Sequence, residues 1–157
     1  MSTADLRKAL RSGNRHEQAV AAIELGRRSD TASTSALRGL MDASDDLVAV
    51  SSMFGCWLLG LDPVPVERAV ASLASSDEET VQLAVQALCE MGERVVPDLI
   101  KLLEAGSPHS VQVLRILGDI GGTQGFEAVK RTALSATPQL AAVARAVLSD
   151  WENADKQ

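Results

Sequence analysis

The sequence predicts an all-α protein, arranged as a right-handed α-solenoid of about five helical hairpins. The composition favours helices, and a signal that recurs along the chain favours repeats. Of the 157 residues, 46% are hydrophobic but only 3% are aromatic, and Tyr is absent. This composition suits helices better than strands, which are enriched in β-branched and aromatic residues. Signals for a helix start also recur about every 31 residues, which is typical of repeat proteins.

Five residues of the kind that caps a helix N-terminus follow one another at spacings of 30, 32, 31 and 30 residues. The side-chain oxygen of such a residue accepts a hydrogen bond from an unpaired N–H of the first turn. The predicted caps are Asn14, Ser44, Ser76, Ser107 and Thr137. Glu17 and Glu79 would complete capping boxes, and a proline at the first helical position follows Ser107 and Thr137.

An apolar stripe with the helical spacing i, i+3, i+4, i+7 follows each cap. A shorter apolar helix precedes each cap, over residues 6–10, 37–41, 66–73, 96–103 and 126–134. Four of the long helices are expected to end at a glycine with positive φ, at Gly26, Gly60, Gly92 and Gly121. The fifth ends at Trp151, whose large side chain is suited to covering the open end of a last repeat.

The repeating unit is therefore a pair of helices, and one pair cannot bury its stripe alone. We expect a single repeat domain over residues 1–151, followed by a polar tail over 152–157. The repeats are predicted at about 4–28, 30–61, 64–92, 95–121 and 124–151.

Two segments resemble a known repeat. Residues 88–103, LCEMGERVVPDLIKLL, and residues 117–129, LGDIGGTQGFEAV, are similar to the short bacterial HEAT-like repeat, also called the phycobilisome-lyase-type HEAT repeat. That repeat typically reads Leu-Gly-x-Ile-Gly, followed by Val-Pro-x-Leu and a second helix. The resemblance implies an α-solenoid whose second helices line a concave face, where partners often bind. It also raises the possibility of an accessory role related to bilin lyases.

One feature of that family is expected to be largely missing. The family often places Val-Arg early in the second helix, where the arginines form a ladder with turn aspartates of neighbouring repeats. Here Gln82 and Gln112 follow the corresponding valines. Glutamine offers neutral hydrogen-bonding groups instead of charge. This departure weakens the case for a bilin-lyase role.

Charge and hydropathy narrow the classes of partner. Residues 1–28 carry a net charge of +3, residues 29–98 carry −9 and residues 99–157 carry 0. The acidic middle disfavours nucleic acid as a partner, including for a HEAT-like DNA-binding or base-excision protein. The longest uncharged run, residues 47–61, is shorter than the roughly 20 residues that cross a membrane. With two cysteines in no C-x-x-C arrangement, we expect a cytoplasmic protein without a membrane partner.

Three surfaces are candidate interaction sites. The outward positions of the concave face are predicted to be Ser51, Gln82, Gln86, Gln112, Arg115 and Arg145, which suit a peptide or helix presenting polar and acidic groups. The turns before the second and third long helices form a predicted acidic ridge of Asp45, Asp46, Asp77, Glu78 and Glu79. That ridge either serves the helix dipoles or docks a basic partner. The first hairpin has a basic face of Arg7, Lys8, Arg11 and Arg15, suited to solvation, to an anionic partner or to end-to-end stacking of copies.

No set of residues predicts catalysis, a cofactor or a metal. His16 and His109 lie in first turns of different repeats, so they are not expected to meet. Cys56 and Cys89 are expected to be buried and unpaired. The sequence therefore predicts a non-enzymatic scaffold, adaptor or regulatory subunit that binds another protein or peptide.

Overall fold

The computed structural model describes residues 1–61, 63–135 and 137–156. Over these residues the structure is 77% helical, with ten α-helices and no strand. The all-α prediction is therefore confirmed. The helices alternate in length as the paired pattern predicts, with a short one before each long one from α3 onward.

The helices are α1 (Thr3–Ser12), α2 (Arg15–Arg27), α3 (Thr34–Leu40), α4 (Asp46–Leu58), α5 (Glu67–Ser72), α6 (Glu78–Met91), α7 (Val96–Glu104), α8 (Ser110–Ile120), α9 (Thr123–Ala133) and α10 (Pro138–Asp155). Short 3₁₀ turns at Thr31–Ser33 and Gly92–Arg94 precede α3 and α7. The chain divides into two compact units, residues 1–87 and residues 88–157. A single continuous repeat domain stays a prediction.

Two of the predicted helix starts are confirmed. Asn14 caps α2 through a complete capping box with Glu17. Thr137 precedes α10, and Pro138 is its first residue. A further capping box, between Ser2 and Asp5, begins α1 and was not among the predicted signals.

The other three starts lie one or two residues later than predicted. Asp45 rather than Ser44 caps α4, because its carboxylate accepts a hydrogen bond from the Val48 N–H at 3.2 Å. Helix α6 begins two residues after Ser76. Before α8, Ser107 forms a tight turn in which its carbonyl accepts from the Ser110 N–H, so the helix starts only after that turn closes.

Three of the four predicted glycine ends are confirmed by positive φ angles of 86° at Gly60, 58° at Gly92 and 74° at Gly121. The prediction for Gly26 is wrong, because Gly26 is buried inside α2 and the helix continues to Arg27. The chain leaves this helix through Ser29, whose φ is 55°.

Gly26 instead allows α2 and α4 to approach each other closely. A Cβ built on Gly26 would lie 2.7 Å from the carbonyl oxygen of Gly55, and a Cβ on Gly55 would lie 2.5 Å from the carbonyl oxygen of Ala22. Both distances are far shorter than van der Waals contact. The two helices therefore pack backbone against backbone at this point.

The remaining packing of the first unit surrounds this contact. Helix α2 packs on α1 and α4, and α4 also packs on α3 and α5. Phe54 is fully buried and stacks on the half-buried Trp57 at 6.1 Å between ring centroids, so the predicted apolar stripe of α4 is confirmed. Such burial contributes roughly 1.5–3 kcal/mol per large apolar side chain.

In the second unit, α7, α8, α9 and α10 pack on one another in chain order, and α8 also contacts α10. Trp151 donates a hydrogen bond from its indole N–H to the Gly118 carbonyl at 2.7 Å and lies on Phe126 at 5.3 Å between ring centroids. Helix α10 continues to Asp155, so residues 152–155 are helical and do not form a separate tail. Gln157, the last residue of the predicted tail, lies outside the described residues.

We predict that Gly55→Ala destabilises the protein by about 2 kcal/mol, because the clash with Ala22 outweighs the gain of up to about 1 kcal/mol in helix propensity. Gly39→Ala is the matched control, since Gly39 is exposed in α3 and its Cβ would meet nothing within 4 Å. It should stabilise by about 0.5 kcal/mol. Urea unfolding measures both, and equal stability of the Gly55 variant and the wild type would disprove the close approach.

A second stabilising contact of the first unit ties α1 to the loop after α2. Arg7 binds Asp30, with its Nε 2.9 Å from Oδ2, and the Ser33 hydroxyl also donates to this carboxylate. These hydrogen bonds, that of Arg7 first, lower the pKa of Asp30 to about 2.

We predict that Asp30→Asn costs roughly 1 kcal/mol at neutral pH, since Arg7 is partly exposed and the ion pair is screened. The carboxylate's contribution is complete above the unfolded pKa of about 3.9 and is lost as the pH falls towards 2. The difference in urea midpoint between wild type and variant should therefore shrink below pH 3.9 and vanish only below pH 2. The exposed Asp42, changed to Asn, is the control, and a difference at pH 2 as large as that at neutral pH would contradict the assignment.

Candidate functional site

The first unit contains a groove of about 210 Å³ among α2, α4 and α6. We call it the α2–α6 groove. Its lining residues follow the spacing i, i+3, i+4, i+7 on both α2 and α6, so each helix contributes a single face. They are His16, Ala19, Val20 and Ile23 from α2, Leu47 and Ser51 from α4, and Glu79, Gln82, Leu83 and Gln86 from α6. Three of the six predicted concave-face residues therefore line one groove.

The floor of the α2–α6 groove is apolar and small. Ala19, Leu47 and Leu83 are buried. Ser51 is buried too, and its hydroxyl donates to the Leu47 carbonyl at 2.6 Å, so the prediction that Ser51 points outward is wrong. The reason is that α4 lies deep in the unit, where even its polar positions are covered.

One side chain rises above this floor. Val20 is 61% exposed, an unusual exposure for a β-branched apolar residue beside buried neighbours. On the α6 side, Gln86 is exposed and Gln82 donates to the Glu78 carboxylate at 3.3 Å. The groove thus has an exposed apolar side chain on α2 and amide side chains on α6.

One end of the groove is closed by a hydrogen-bonded pair of side chains. His16 Nδ1 lies 2.9 Å from Glu79 Oε1, and both side chains are about half exposed. The sequence predicts His16 in a first turn and Glu79 as part of a capping box. The structure instead joins them across the start of α2 and the start of α6.

Next to this pair, Arg15 contacts three carboxylates from the starts of two helices, α4 and α6. Its guanidinium lies 2.8 Å from Asp45, 2.7 Å from Asp77 and 4.0 Å from Glu79. Arg15 is the first residue of α2, whereas Asp45 and Asp77 immediately precede α4 and α6. One arginine therefore joins the starts of α2, α4 and α6, while Gln82 and Gln112 still stand at the positions where the family's ladder was expected to be missing.

Electrostatics within the cluster follow from these contacts. Hydrogen bonds from Thr80 and Arg15 lower the pKa of Asp77. Partial burial acts to raise the pKa of Asp45, but the hydrogen bonds from Arg15 and the Val48 N–H outweigh it and the net direction is down. Both carboxylates in turn raise the pKa of Arg15, that of Asp77 most.

The predicted acidic ridge is therefore partly neutralised from within. Asp46 pairs with Arg68 at 2.9 Å. Around the end of the groove, three carboxylates (Asp45, Asp77 and Glu79) contact one guanidinium, which leaves a net charge of −2 when histidine is counted as neutral.

The other three predicted concave-face residues belong to the second unit. Gln112 is half-buried, whereas Arg115 and Arg145 are exposed. Arg145 donates to the Ala133 carbonyl at 3.4 Å. Arg115 lines a separate cavity of about 360 Å³ beside Trp151.

The predicted basic face of the first hairpin is also reduced. Arg7 is committed to Asp30 and Arg15 to the carboxylate cluster, while Lys8 and Arg11 remain exposed on α1. The sequence showed the four charges on neighbouring turns but not the carboxylates that two of them meet.

Both cysteines are free. Cys56 is buried, and burial raises the pKa of its thiol. The prediction that Cys89 is buried is wrong, because it is exposed. Cys56 lies ten residues after the start of α4 and Cys89 eleven after the start of α6, and one residue turns a helical side chain by about 100°. Partial burial and the charge of Asp119 still raise the pKa of Cys89.

His109 precedes α8 in the second unit and is half-buried. Within residues 1–61, 63–135 and 137–156, no group of three or more His, Cys, Asp or Glu side chains is placed to hold a metal ion. Over the same part of the chain, no helix has the length and apolar character needed to span a bilayer.

No family model matches the chain, and no curated protein matches it. Among solved structures, it is similar to a crystal structure described as that of an engineered protein, with 20% sequence identity and a TM-score of 0.46. The match covers 89% of this chain and 75% of the other.

We predict that Arg15→Gln lowers the melting temperature at neutral pH, because it leaves Asp45, Asp77 and Glu79 close together without their shared cation. Arg11→Gln is the matched control, since Arg11 is exposed on α1, and it should leave the melting temperature unchanged. The lowered pKa values of Asp45 and Asp77 mean that the stabilisation by Arg15 is lost as the pH falls. The two variants should therefore converge in acid, and a pH-independent gap would argue against the ion pairs.

Proposed function

We propose that this protein is a non-enzymatic interaction module, acting as a scaffold, adaptor or regulatory subunit, and that a segment of a partner protein occupies the α2–α6 groove. The observation that carries the proposal is the exposure of Val20 above a buried apolar floor. Covering exposed apolar area beside an existing groove is favourable by roughly 25 cal/mol per Å².

The polar groups of the groove suit binding. Gln82 and Gln86 each carry a carbonyl acceptor and two N–H donors, which can pair with a peptide backbone or with polar side chains. The Ser51 hydroxyl already donates to Leu47, and the His16 imidazole is paired with Glu79. Neither the hydroxyl nor the imidazole faces the other as a nucleophile and base would.

We further propose that the hairpins form a HEAT-like α-solenoid. The proposal is supported inside each unit, where long helices of consecutive hairpins pack on each other, α2 on α4 in the first and α8 on α10 in the second. In a solenoid each hairpin covers the apolar stripe of the next. A cytoplasmic location, the absence of nucleic-acid or membrane partners, and end-to-end stacking of copies stay predictions.

The proposal is tested by site-specific photo-crosslinking in cells of the source organism. A photoreactive amino acid at Gln86 should capture a protein partner, because Gln86 is exposed on the wall of the groove. The same amino acid at Ala36, exposed on α3 and outside the groove, is the control and should not capture it.

Val20→Ser, introduced beside the crosslinker, should remove the captured band without altering the melting temperature, because Val20 is largely exposed. A partner captured equally from Gln86 and Ala36, or captured despite the change at Val20, would show that the groove is not the binding site.

A further inference from the structure

We infer that the occupant of the α2–α6 groove is a basic amphipathic segment, with small apolar side chains on one face and Lys or Arg near the starts of α2 and α6. This inference rests on the proposed function and names the chemistry of its partner. It depends on where charge and apolar surface lie relative to each other within the first unit.

The apolar part of the groove sets the shape of the occupant. Lining residues on α2 run from His16 to Ile23, which corresponds to about 11 Å along the helix, or two turns. The floor between them is made of small or recessed residues such as Ala19 and Ser51. A helical occupant would thus present two or three small apolar side chains, spaced i, i+3 or i+4 and i+7, to Val20 and the floor.

The charge at one end of the groove sets the sign of the occupant. Glu79 lines the groove and its side chain is 49% exposed, while the nearby Asp45 and Asp77 side chains are 37% and 40% exposed. Arg15 is the only arginine or lysine among these contacts, and it is already shared by all three carboxylates. The unbalanced negative charge favours a cationic group of the partner at this end.

This polarity is opposite to the one expected for the concave face, and it agrees with the basic partner that the sequence allowed for the acidic ridge. An acidic or polar segment was expected because Arg115 and Arg145 were counted on the same face as Gln82. Both arginines belong to the second unit, and the groove of the first unit has no arginine or lysine among its lining residues. The charge next to the α2–α6 groove is therefore the negative charge of Asp45, Asp77 and Glu79.

The inference is tested with the full 157-residue protein and two synthetic peptides as long as α2, 13 residues. One peptide has Ala and Leu on one helical face and Lys on the other, and its twin has Glu in place of every Lys. We expect the Lys peptide to bind in fluorescence anisotropy and the Glu peptide not to bind. Glu78→Gln combined with Glu79→Gln should weaken the Lys peptide roughly fivefold, as expected for exposed ion pairs.

Generic attraction to an acidic protein is separated from binding in the groove by two matched variants. Val20→Ser removes exposed apolar surface from the groove. Leu134→Ser is the control, because it removes exposed apolar surface from the second unit, where Leu134 is 87% exposed. We expect Val20→Ser alone to weaken the Lys peptide. The inference would be overturned if the Val20→Ser and Leu134→Ser variants bound the Lys peptide equally well. It would also be overturned if Glu78→Gln combined with Glu79→Gln left the affinity for the Lys peptide unchanged.

Two further outcomes distinguish this inference from the proposed function. Binding of the Glu peptide that is sensitive to Val20→Ser would overturn the basic occupant but leave the groove as a binding site. Self-association of the protein that is abolished by Val20→Ser would identify a second copy as the occupant and likewise overturn the inference. Absence of a crosslink from Gln86 in cells, together with binding of the Lys peptide that Val20→Ser weakens, would count against the proposed function and support the basic occupant.

Discussion

The close approach of α2 and α4 at Gly26 and Gly55 is the constraint on which the first unit depends. Because neither residue has a Cβ, the two backbones meet, and a side chain on Gly55 would push against the Ala22 carbonyl at 2.5 Å. This contact draws α4 into the unit, so that Ser51 becomes floor instead of wall. A groove with a recessed centre and two raised sides follows from that geometry.

Arg15 offsets the repulsion among the carboxylates of Asp45, Asp77 and Glu79 in the first unit. Helix starts favour carboxylates because of the helix dipole, and repeating the hairpin brings several such starts close together. Without a shared cation, Asp45 and Asp77 would repel each other. One guanidinium with several donors in a fixed plane can serve both at 2.7–2.8 Å, which a lysine ammonium would do less well. The surplus negative charge remains at the end of the groove, where a partner can use it.

Local signals in the sequence predict some helix ends and exposures correctly and others wrongly, and the difference has physical causes. The capping box at Asn14 and the positive φ at Gly60, Gly92 and Gly121 depend only on nearby residues, so they could be predicted. Gly26 carries the same local signal but serves a contact with a helix about 30 residues away, which a local pattern does not reveal. The exposure of Cys89 was missed because a shift of one residue in helix phase decides which side faces the core.

In the candidate site, too, local features could be predicted from the sequence and contacts between helices could not. Periodicity placed Gln82 and Gln86 together on one face of a helix, and the structure places them with Val20 on one groove. No spacing rule led to the Val20 exposure or to the pairing of His16 with Glu79, which are 63 residues apart. The sequence by itself determined that the chain is helical, because capping and amphipathic periodicity act over a few residues. Tertiary structure alone decided which charges are paired and which apolar side chains stay exposed, because those outcomes depend on distances between helices that the chain brings together only on folding.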